Sequence, residues 1–267
     1  KVRDGGKDYI SDEKRTNVGS NLNAKDISLT SLGDIGITGS NIVATNKASI
    51  QAKGDISIVA GKDSVLHEEK HSKSKGFGRS SSEESVAYAT RNVASNILGD
   101  KVNITSGKDV NIFGSNIQAN TEGQIKADGN ITQAGVKDIN YSYHKTTKKG
   151  FMGLTSKSIM DENYAEKAIL SATLGGDKGL TYDSKNNLIL SGVKVVSSGS
   201  IDLRGFSGSF SPKGISVSYG KDKFSSDTDI LNQTASQIIS NKDINIEATN
   251  KVKAKSVDIY AKNDVNI

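Results

Sequence analysis

The chain repeats itself at two spacings, and this repetition limits its fold more than any other feature. At the shorter spacing, Gly-Ser-Asn-Leu at 19–22 returns as Gly-Ser-Asn-Ile at 39–42. At the longer spacing, apolar and turn residues match without a gap: Ile27, Leu29, Asp34, Ile35, Ile37, Gly39 and Ile42 correspond to Val102, Ile104, Asp109, Val110, Ile112, Gly114 and Ile117. More divergent copies begin near Leu180 and Ala235. A chain of such repeats is expected to stack its units, each covering the next.

Each unit carries an Asp or Asn followed by an apolar-polar-apolar triplet, as in residues 26–29 and 109–112. Alternation with period two is typical of strands with one face inward, and Gly-Asp pairs provide the corners between strands. The sequence therefore predicts an all-β fold, a right-handed parallel β-helix (β-solenoid) of about 20 residues per coil over the single segment 1–267. Ile37 and Ile112 should face inward. One amide per coil should form a ladder along the stack: Asn21, Asn41, Asn96 and Asn116.

Three excursions interrupt the repeat, at about 66–90, 142–170 and 206–233. The first two align through Lys-Gly-Phe at 75–77 and 149–151. The first fits either an alternating strand or a short helix that begins near Ser81 and Glu84, whereas residues 160–165 of the second favour a helix. The third contains an alternating strand pattern over residues 214–220.

The amino-acid composition excludes several classes of function. Cysteine is absent, which excludes disulfide scaffolds and thiolate metal sites, and the net charge of +5 arises from lysines scattered among 30 acids. Aromatic residues are only 5% of the chain, too few for stacked recognition of nucleic acid, so no nucleic-acid partner is expected. The chain starts with neither Met nor an apolar leader, so we expect an internal stretch of a larger protein. No enzymatic activity and no cofactor are expected.

Basic and aromatic residues in the first two excursions are the candidate recognition site: Lys73, Lys75, Phe77, Arg79, Lys148, Lys149 and Phe151. With Lys70 and Lys145, these cations could line up as a stripe for anionic lipopolysaccharide, glycan sulfate or phosphate. The alternative is that they keep exposed loops soluble and protect sheet edges. For the apolar side chains of these loops, including Met152 and Leu154, packing against the coils is favoured over contact with a membrane or receptor.

Residues 67–71, His-Glu-Glu-Lys-His, match the H-E-x-x-H pattern of zinc proteases. That pattern requires a helix with both histidines on one face. The following residues are polar, and no third ligand is evident, so the segment is interpreted as a solvated excursion. A zinc hydrolase built on His67 and His71 is the enzymatic alternative. A polysaccharide-cleaving β-helix would need carboxylates or aromatic residues clustered on one face, whereas the acids of this sequence are scattered.

The chain resembles the haemagglutinin repeats of two-partner secretion exoproteins, the family of filamentous haemagglutinin and of CdiA-type contact-dependent growth inhibition proteins. The resemblance lies in the Gly-Ser-x-Ile-x-Ala turns at 39–44 and 114–119, the strand triplets, the Lys-Gly-Phe excursions and Gly-Ile-Ser-Val at 214–217. The excursions indicate the second repeat class of such proteins, which is associated with delivery across a target outer membrane.

This resemblance implies a secreted protein of the bacterial outer-membrane surface, exported by an outer-membrane partner transporter. Its expected role is the repeat shaft of a contact-dependent inhibition exoprotein, which presents or delivers a C-terminal toxin to neighbouring cells. The alternative is the shaft of a filamentous adhesin that binds host or bacterial surfaces. Expected partners are therefore the transporter and a target-cell or host-cell surface, with contact to the outer membrane of the target cell. No catalytic residues accompany the resemblance.

Overall fold

The computed structural model describes residues 2–4, 8–211, 213–221 and 230–267, with side chains placed for 8–210 and 235–267. Most of them lie in strands, numbered β1 to β25 in chain order. Within these ranges there is no α-helix, and one 3₁₀ turn covers Phe151–Gly153. The same ranges contain no helix with the length and apolarity needed to cross a membrane. The fold class is therefore all-β.

Seventeen strands form one sheet whose pairings are parallel. These strands are β3 (Asn21–Ser31), β4 (Ile35–Thr38), β5 (Asn41–Ala52), β6 (Ile56–Val59), β9 (Asn96–Ser106), β10 (Val110–Phe113), β11 (Asn116–Ala127), β12 (Ile131–Ala134), β15 (Ser171–Gly175), β16 (Gly179–Ser184), β17 (Asn187–Ser191), β18 (Val193–Ser197), β19 (Ile201–Ser211), β22 (Ser236–Ser240), β23 (Ile244–Ala254), β24 (Val257–Ala261) and β25 (Val265–Asn266). This parallel arrangement is consistent with a β-helix.

The register of the parallel sheet follows the sequence repeat. Asn21 pairs with Asn41, 20 residues on, whereas Asn41 pairs with Asn96, 55 residues on. The larger offset includes the first excursion. The chain leaves the parallel sheet after β6 and returns as β9, which pairs directly with β5. The pairing of Asn116 with Ala172 spans the second excursion in the same way.

The core of the parallel sheet consists of the inward positions of its strands. Burial alternates along most of these strands, as in β6, where Ile56 and Ile58 are fully buried and Ser57 between them is partly exposed. Ile37 and Ile112 are buried, as predicted. The copies near Leu180 and Ala235 also contribute, through Tyr182, Leu188, Leu190, Ile238 and Ile244. Ile and Val suit this narrow interior because β-branched side chains pack well on a pleated surface.

Side-chain ladders run along the stack. Asn41 Nδ2 donates to Asn21 Oδ1 at 2.8 Å, Asn96 Nδ2 to Asn41 Oδ1 at 2.8 Å, and Asn116 Nδ2 to Asn96 Oδ1 at 2.9 Å, which confirms the predicted amide ladder. A second ladder follows the Gly-Asp corners, where a carboxylate accepts a backbone N–H from the next unit: Asp55 N to Asp34, Asp109 N to Asp55, and Asn130 N to Asp109. These bonds fix neighbouring units in register.

The other eight strands form an antiparallel sheet, the hairpin sheet, in the order β1-β2-β7-β8-β13-β14-β20-β21. They are β1 (Val2–Asp4), β2 (Asp8–Arg15), β7 (Gly61–Lys75), β8 (Arg79–Val93), β13 (Val136–Lys149), β14 (Ser156–Ile169), β20 (Lys213–Lys221) and β21 (Ile230–Thr234). β7 and β8 form one long hairpin and β13 and β14 another, and β8 pairs with β13, so the two hairpins lie side by side.

The helix predicted for residues 160–165 is wrong, because this segment lies within β14. Strand β14 is paired on both sides, with β13 along its whole length and with β20 over Asp161–Ala165. The first excursion was compatible with a strand or a short helix. It forms a strand, because Ser81 and Glu84 lie in β8. In the third excursion, residues 206–211 belong to β19 of the parallel sheet, and residues 212 and 222–229 lie outside the described residues.

Candidate functional site

The ends of the two long hairpins have an unusual composition. Residues 72–82 and 147–158, here called the tip patch, contain no acid. They carry six cations, namely Lys73, Lys75, Arg79, Lys148, Lys149 and Lys157. The remaining positions are Ser, Thr, Gly and four large apolar residues. All seven residues of the predicted recognition site fall within this patch.

Strand pairing brings cations from both hairpins onto one face of the sheet. Lys73 pairs with Ser81, Ser81 with Lys148, and Lys148 with Lys157. Directly paired residues lie on the same face, so three lysines share one row across four strands. Lys75 and Arg79 form the next row toward the tip on that face. Like charges placed this closely repel one another, so this face of the tip carries a concentrated positive charge.

The stripe predicted from sequence is not continuous. Lys70 and Lys145 both pair with Glu84, in a row on the opposite face from Lys73, so an acid lies between them. Lys149 is on that opposite face too, paired with Ser80. Sequence reasoning missed Lys157. Its position opposite Lys148 follows once the second excursion is treated as a hairpin, so the hairpin register is the signal that would have found it.

The apolar side chains of the tips are exposed, which contradicts the expectation that they pack against the coils. Phe77 and Leu154 are each 81% exposed, and Met152 is 70% exposed. The rings of Phe77 and Phe151 lie 6.1 Å apart between centroids, and Met152 N donates to Phe77 O at 2.9 Å. Because the two tips contact each other, they form one apolar and basic surface.

The backbone at both tips is strained. Phe77 has a φ of 60° and Met152 a φ of 50°, and each is followed by a glycine that also has a positive φ. The left-handed region is a rare conformation for bulky residues. Gly78 is needed here, because a Cβ would lie 3.0 Å from Met152 Cα. Phe77 and Met152 therefore each combine a costly backbone conformation with a largely exposed side chain.

The H-E-x-x-H segment lies in strand β7, not on a helix. His67 and His71 share one face of the strand, and Glu68, the residue that would act as general base, lies on the other. Within the described ranges, no group of three His, Cys, Asp or Glu residues is placed to hold a metal ion.

A band of histidines and carboxylates lies behind the basic rows on the same face. His67 Nδ1 is 2.7 Å from Asp12 Oδ1, and this hydrogen bond raises the pKa of His67. The Glu69 carboxylate lies between the two histidines of β7, hydrogen-bonded to His71 Nε2 and 3.7 Å from His67 Nε2. The hydrogen bond with His71 lowers the pKa of Glu69.

Comparison with known proteins identifies one matching family model. The model of the hemagglutinin repeat matches residues 4–85, 78–151 and 217–267. The chain is 25% identical over 181 residues to the tRNA nuclease CdiA of Yersinia mollaretii, covering 59% of this chain. It is 23% identical over 182 residues to the tRNA nuclease CdiA of Escherichia coli STEC_O31, covering 62% of this chain. The match spans only 6% of each relative's length. No solved structure matches the chain.

Proposed function

Because this chain belongs to the hemagglutinin-repeat family, we propose that it forms part of the repeat shaft of a large secreted exoprotein on the bacterial surface. Within that class, the proposed system is contact-dependent growth inhibition, in which the shaft presents or delivers a C-terminal toxin to neighbouring cells. The similarity to the two CdiA proteins supports this assignment. The nuclease activity in their names belongs to those proteins, and we propose that this section of the shaft has no catalytic site of its own.

The shaft is proposed to be a right-handed β-helix. Pairing offsets of 20 and 21 residues, interrupted only where a hairpin leaves the parallel sheet, support a coil of about 20 residues. Right-handedness follows from the general rule for parallel crossovers. Export through an outer-membrane partner transporter fits a chain without cysteine, since no disulfide forms to block passage of an unfolded polypeptide.

The observation that carries the functional proposal is the tip patch. Its six cations have no acid among them, and Phe77, Met152 and Leu154 are largely exposed on a strained backbone. An exposed surface that is both basic and apolar fits the anionic, amphiphilic surface of a cell. We therefore propose that the hairpins contact the target cell and that the parallel sheet holds them in place.

The test is binding of the purified protein to whole bacteria and, separately, to host cells. In one variant, Lys73, Lys148 and Lys157 are changed to Gln. In the matched control, three exposed lysines of the parallel sheet and its corners, Lys25, Lys47 and Lys53, receive the same change. Both variants lose the same net charge. Binding that falls in the first variant and persists in the control supports the proposal.

Equal loss in both variants would mean that net charge alone drives binding, and no binding by the unmodified protein would overturn the contact role. Binding to host cells but not to bacteria would favour the adhesin alternative over the inhibition system.

A further inference from the structure

All three histidines of the chain lie on the face of the hairpin sheet that also holds the basic rows. His71 lies two residues before Lys73 on β7 and therefore in the next row behind it. The next row away from the tip contains His144 and Glu69, because both pair with Ser85 of β8. His67 lies one row farther from the tip. Rows on one strand face are about 7 Å apart, so the band starts immediately behind the lysines.

Each histidine is placed against a carboxylate. His67 contacts Asp12 on β2, His71 contacts Glu69 on β7, and His144 Nε2 lies 3.5 Å from Glu83 Oε1 on β8. On the remaining neighbour, β14, Asp161 is the direct cross-strand partner of His144. Asp161 Oδ1 is buried without a hydrogen-bond partner among the described residues, so a cation beside it would be favourable.

The charges on this face divide into two zones. The zone at the tip holds five cations and no acid: Lys73, Lys75, Arg79, Lys148 and Lys157. The zone behind it holds five acids with the three histidines: Asp8, Asp12, Glu69, Glu83 and Asp161. Lys14 on β2 lies behind this band, followed farther from the tip by the charge pairs Asp63 with Arg91 and Asp138 with Lys167. On β1 the backbone partner of Asp8 is Asp4, and on β20 the backbone partner of Asp161 is Lys221.

At neutral pH the acidic band offsets the attraction of the tip for an anionic surface. Histidine is the side chain whose charge changes between about pH 5 and pH 8. Three protonated histidines would reduce the band from five net negative charges to two, while the lysines stay charged. The two zones together would then change from no net charge to three net positive charges.

We propose that this face is an acid-strengthened binding surface for membranes that carry anionic lipid phosphate, with the three histidines setting its response to pH. The inference rests on the proposed function of the tip patch and adds its regulation. A lipid surface fits better than a soluble polyanion because Phe77, Met152 and Leu154 extend beside the lysines and can enter the headgroup region.

The experiment measures partition of the whole chain onto vesicles of phosphatidylglycerol and phosphatidylcholine, and onto vesicles of phosphatidylcholine alone. Measurements are made at about pH 5.5 and about pH 7.5, at low ionic strength, where the Debye length of about 30 Å covers the whole band. The lipid phosphodiester stays charged at both values. Because each cation near an anionic surface contributes about a factor of five in affinity, binding to anionic vesicles is expected to rise at least about fivefold at the lower pH.

The variant H67Q/H71Q/H144Q tests the histidines directly, and its ratio of affinities at the two pH values is expected to fall to about one. Circular dichroism at both pH values checks that the variant keeps its fold. The variant K73Q/K148Q/K157Q tests the tip patch and is expected to lose binding at both pH values.

The outcomes separate the two proposals. Binding that is equal at both pH values, or a pH response that survives in the histidine variant, overturns the inference and leaves the contact role intact. Absence of vesicle binding at both pH values also overturns the inference, whereas the contact role is decided separately by the binding to whole cells described above. Equal binding to the zwitterionic phosphatidylcholine vesicles would show that net negative lipid charge is not required, and would overturn the inference as well.

Discussion

Phe77 has two properties that do not favour stability. Its backbone lies in the left-handed region, at a φ of 60°, and its ring is 81% exposed. Phe151, its counterpart in the second hairpin, contacts the same surface without a positive φ. The two rings are neighbours, but Phe151 is only 47% exposed, so the pair differs in backbone strain and also in burial.

Replacing Phe77 by Asn is expected to stabilise the β7–β8 hairpin by about 1 kcal/mol, because Asn tolerates the left-handed conformation better than a bulky residue does. The free energy of hairpin opening, measured by amide hydrogen exchange across β7 and β8, checks this. Phe151→Asn is the control and should give no such gain. If the two variants behave alike, strain at Phe77 is not the cause.

The ion pair between His67 and Asp12 makes hairpin stability depend on pH. The pKa of His67 is raised above its ordinary 6.5, so its contribution is complete below that value and is lost as pH rises through the raised pKa. The pKa of Glu69 is lowered below 4.5, so its contribution is present above 4.5 and is lost as pH falls. Together they are most stabilising between these two values.

Asp12→Asn is expected to lower the pKa of His67 toward its ordinary range, because the carboxylate that favours the imidazolium is removed. An NMR titration of the His67 ring measures this. Glu13→Gln, one residue along β2 and on the opposite face, is the matched control. A His67 pKa that stays raised in Asp12→Asn would assign the shift to Glu69.

Ile112 is fully buried in β10, whereas Asn111 beside it is only partly buried. Ile112→Asp should destabilise the protein by at least about 4 kcal/mol, because an unpaired carboxylate would enter an apolar core. Asn111→Asp introduces the same acid facing outward and should cost less than about 1 kcal/mol. Thermal unfolding of both variants checks the inward face, and equal melting temperatures would contradict it.

At the scale of elements, the short strands of the parallel sheet were predictable and the hairpins only partly so. Period-two triplets such as residues 109–112 identify strands from sequence alone, because one buried face dictates alternation. Residues 160–165 were misassigned because Met160 and Tyr164, four apart, share a face in a helix and in a strand alike. Their actual partners are Lys145 and Tyr141 on β13, which no local pattern reveals.

The tip patch was predictable as a set of residues but not as a surface. Lys-Gly-Phe repeats marked Phe77 and Phe151 as equivalent, yet their contact depends on the pairing of β8 with β13, two strands that are distant in sequence. The exposure of Leu154 likewise depends on where the tips project. Such contacts arise from tertiary pairing, which overrides local preference.

A buried polar cluster marks where the chain returns to the parallel sheet after the second hairpin. Gln133, on β12 before the hairpin, accepts from Tyr182 Oη at 2.7 Å and from Thr173 Oγ1 at 3.2 Å. Its Nε2 donates to Ser171 Oγ at 3.0 Å, on β15 after the hairpin. These bonds fix the position at which the chain re-enters, because any other register would leave buried polar groups unpaired.

Gln133→Leu should destabilise the protein by about 2–4 kcal/mol, because the buried hydroxyls of Tyr182 and Thr173 lose their acceptor. Adding Tyr182→Phe should restore part of that loss. Thr132→Leu, at the neighbouring outward position, is the control. Chemical denaturation of the three variants measures the effect, and a double variant no more stable than Gln133→Leu alone would argue against the cluster.

At the scale of the whole molecule, the two sheets differ in how deeply their side chains are buried. The parallel sheet encloses the apolar core, and its inward side chains are almost completely buried. The two long hairpins of the other sheet are partly exposed along their length and contain few fully buried residues. The parallel sheet should therefore supply most of the stability, with the hairpins held by pairing to one another.

Replacing residues 136–169 by a short Gly-Ser link tests this division. The parallel sheet is expected to persist, because β11 pairs with β15 across the deletion. Strand β8 loses its partner β13 and becomes a free edge, so its amides should exchange faster and the protein should self-associate. Replacing only residues 150–155 is the control and should leave β8 protected. Unfolding of the whole chain would mean that the hairpins support the core.

The strand register also determines how such a protein could become longer during evolution. One copy of the longer sequence repeat contains both parallel strands and a long hairpin whose free edge accepts the next hairpin. A tandem duplication of this unit would therefore lengthen the parallel sheet and widen the hairpin sheet in a single genetic event. The length of the parallel sheet and the number of hairpin tips would then increase together, so each added repeat would bring one more aromatic and basic tip.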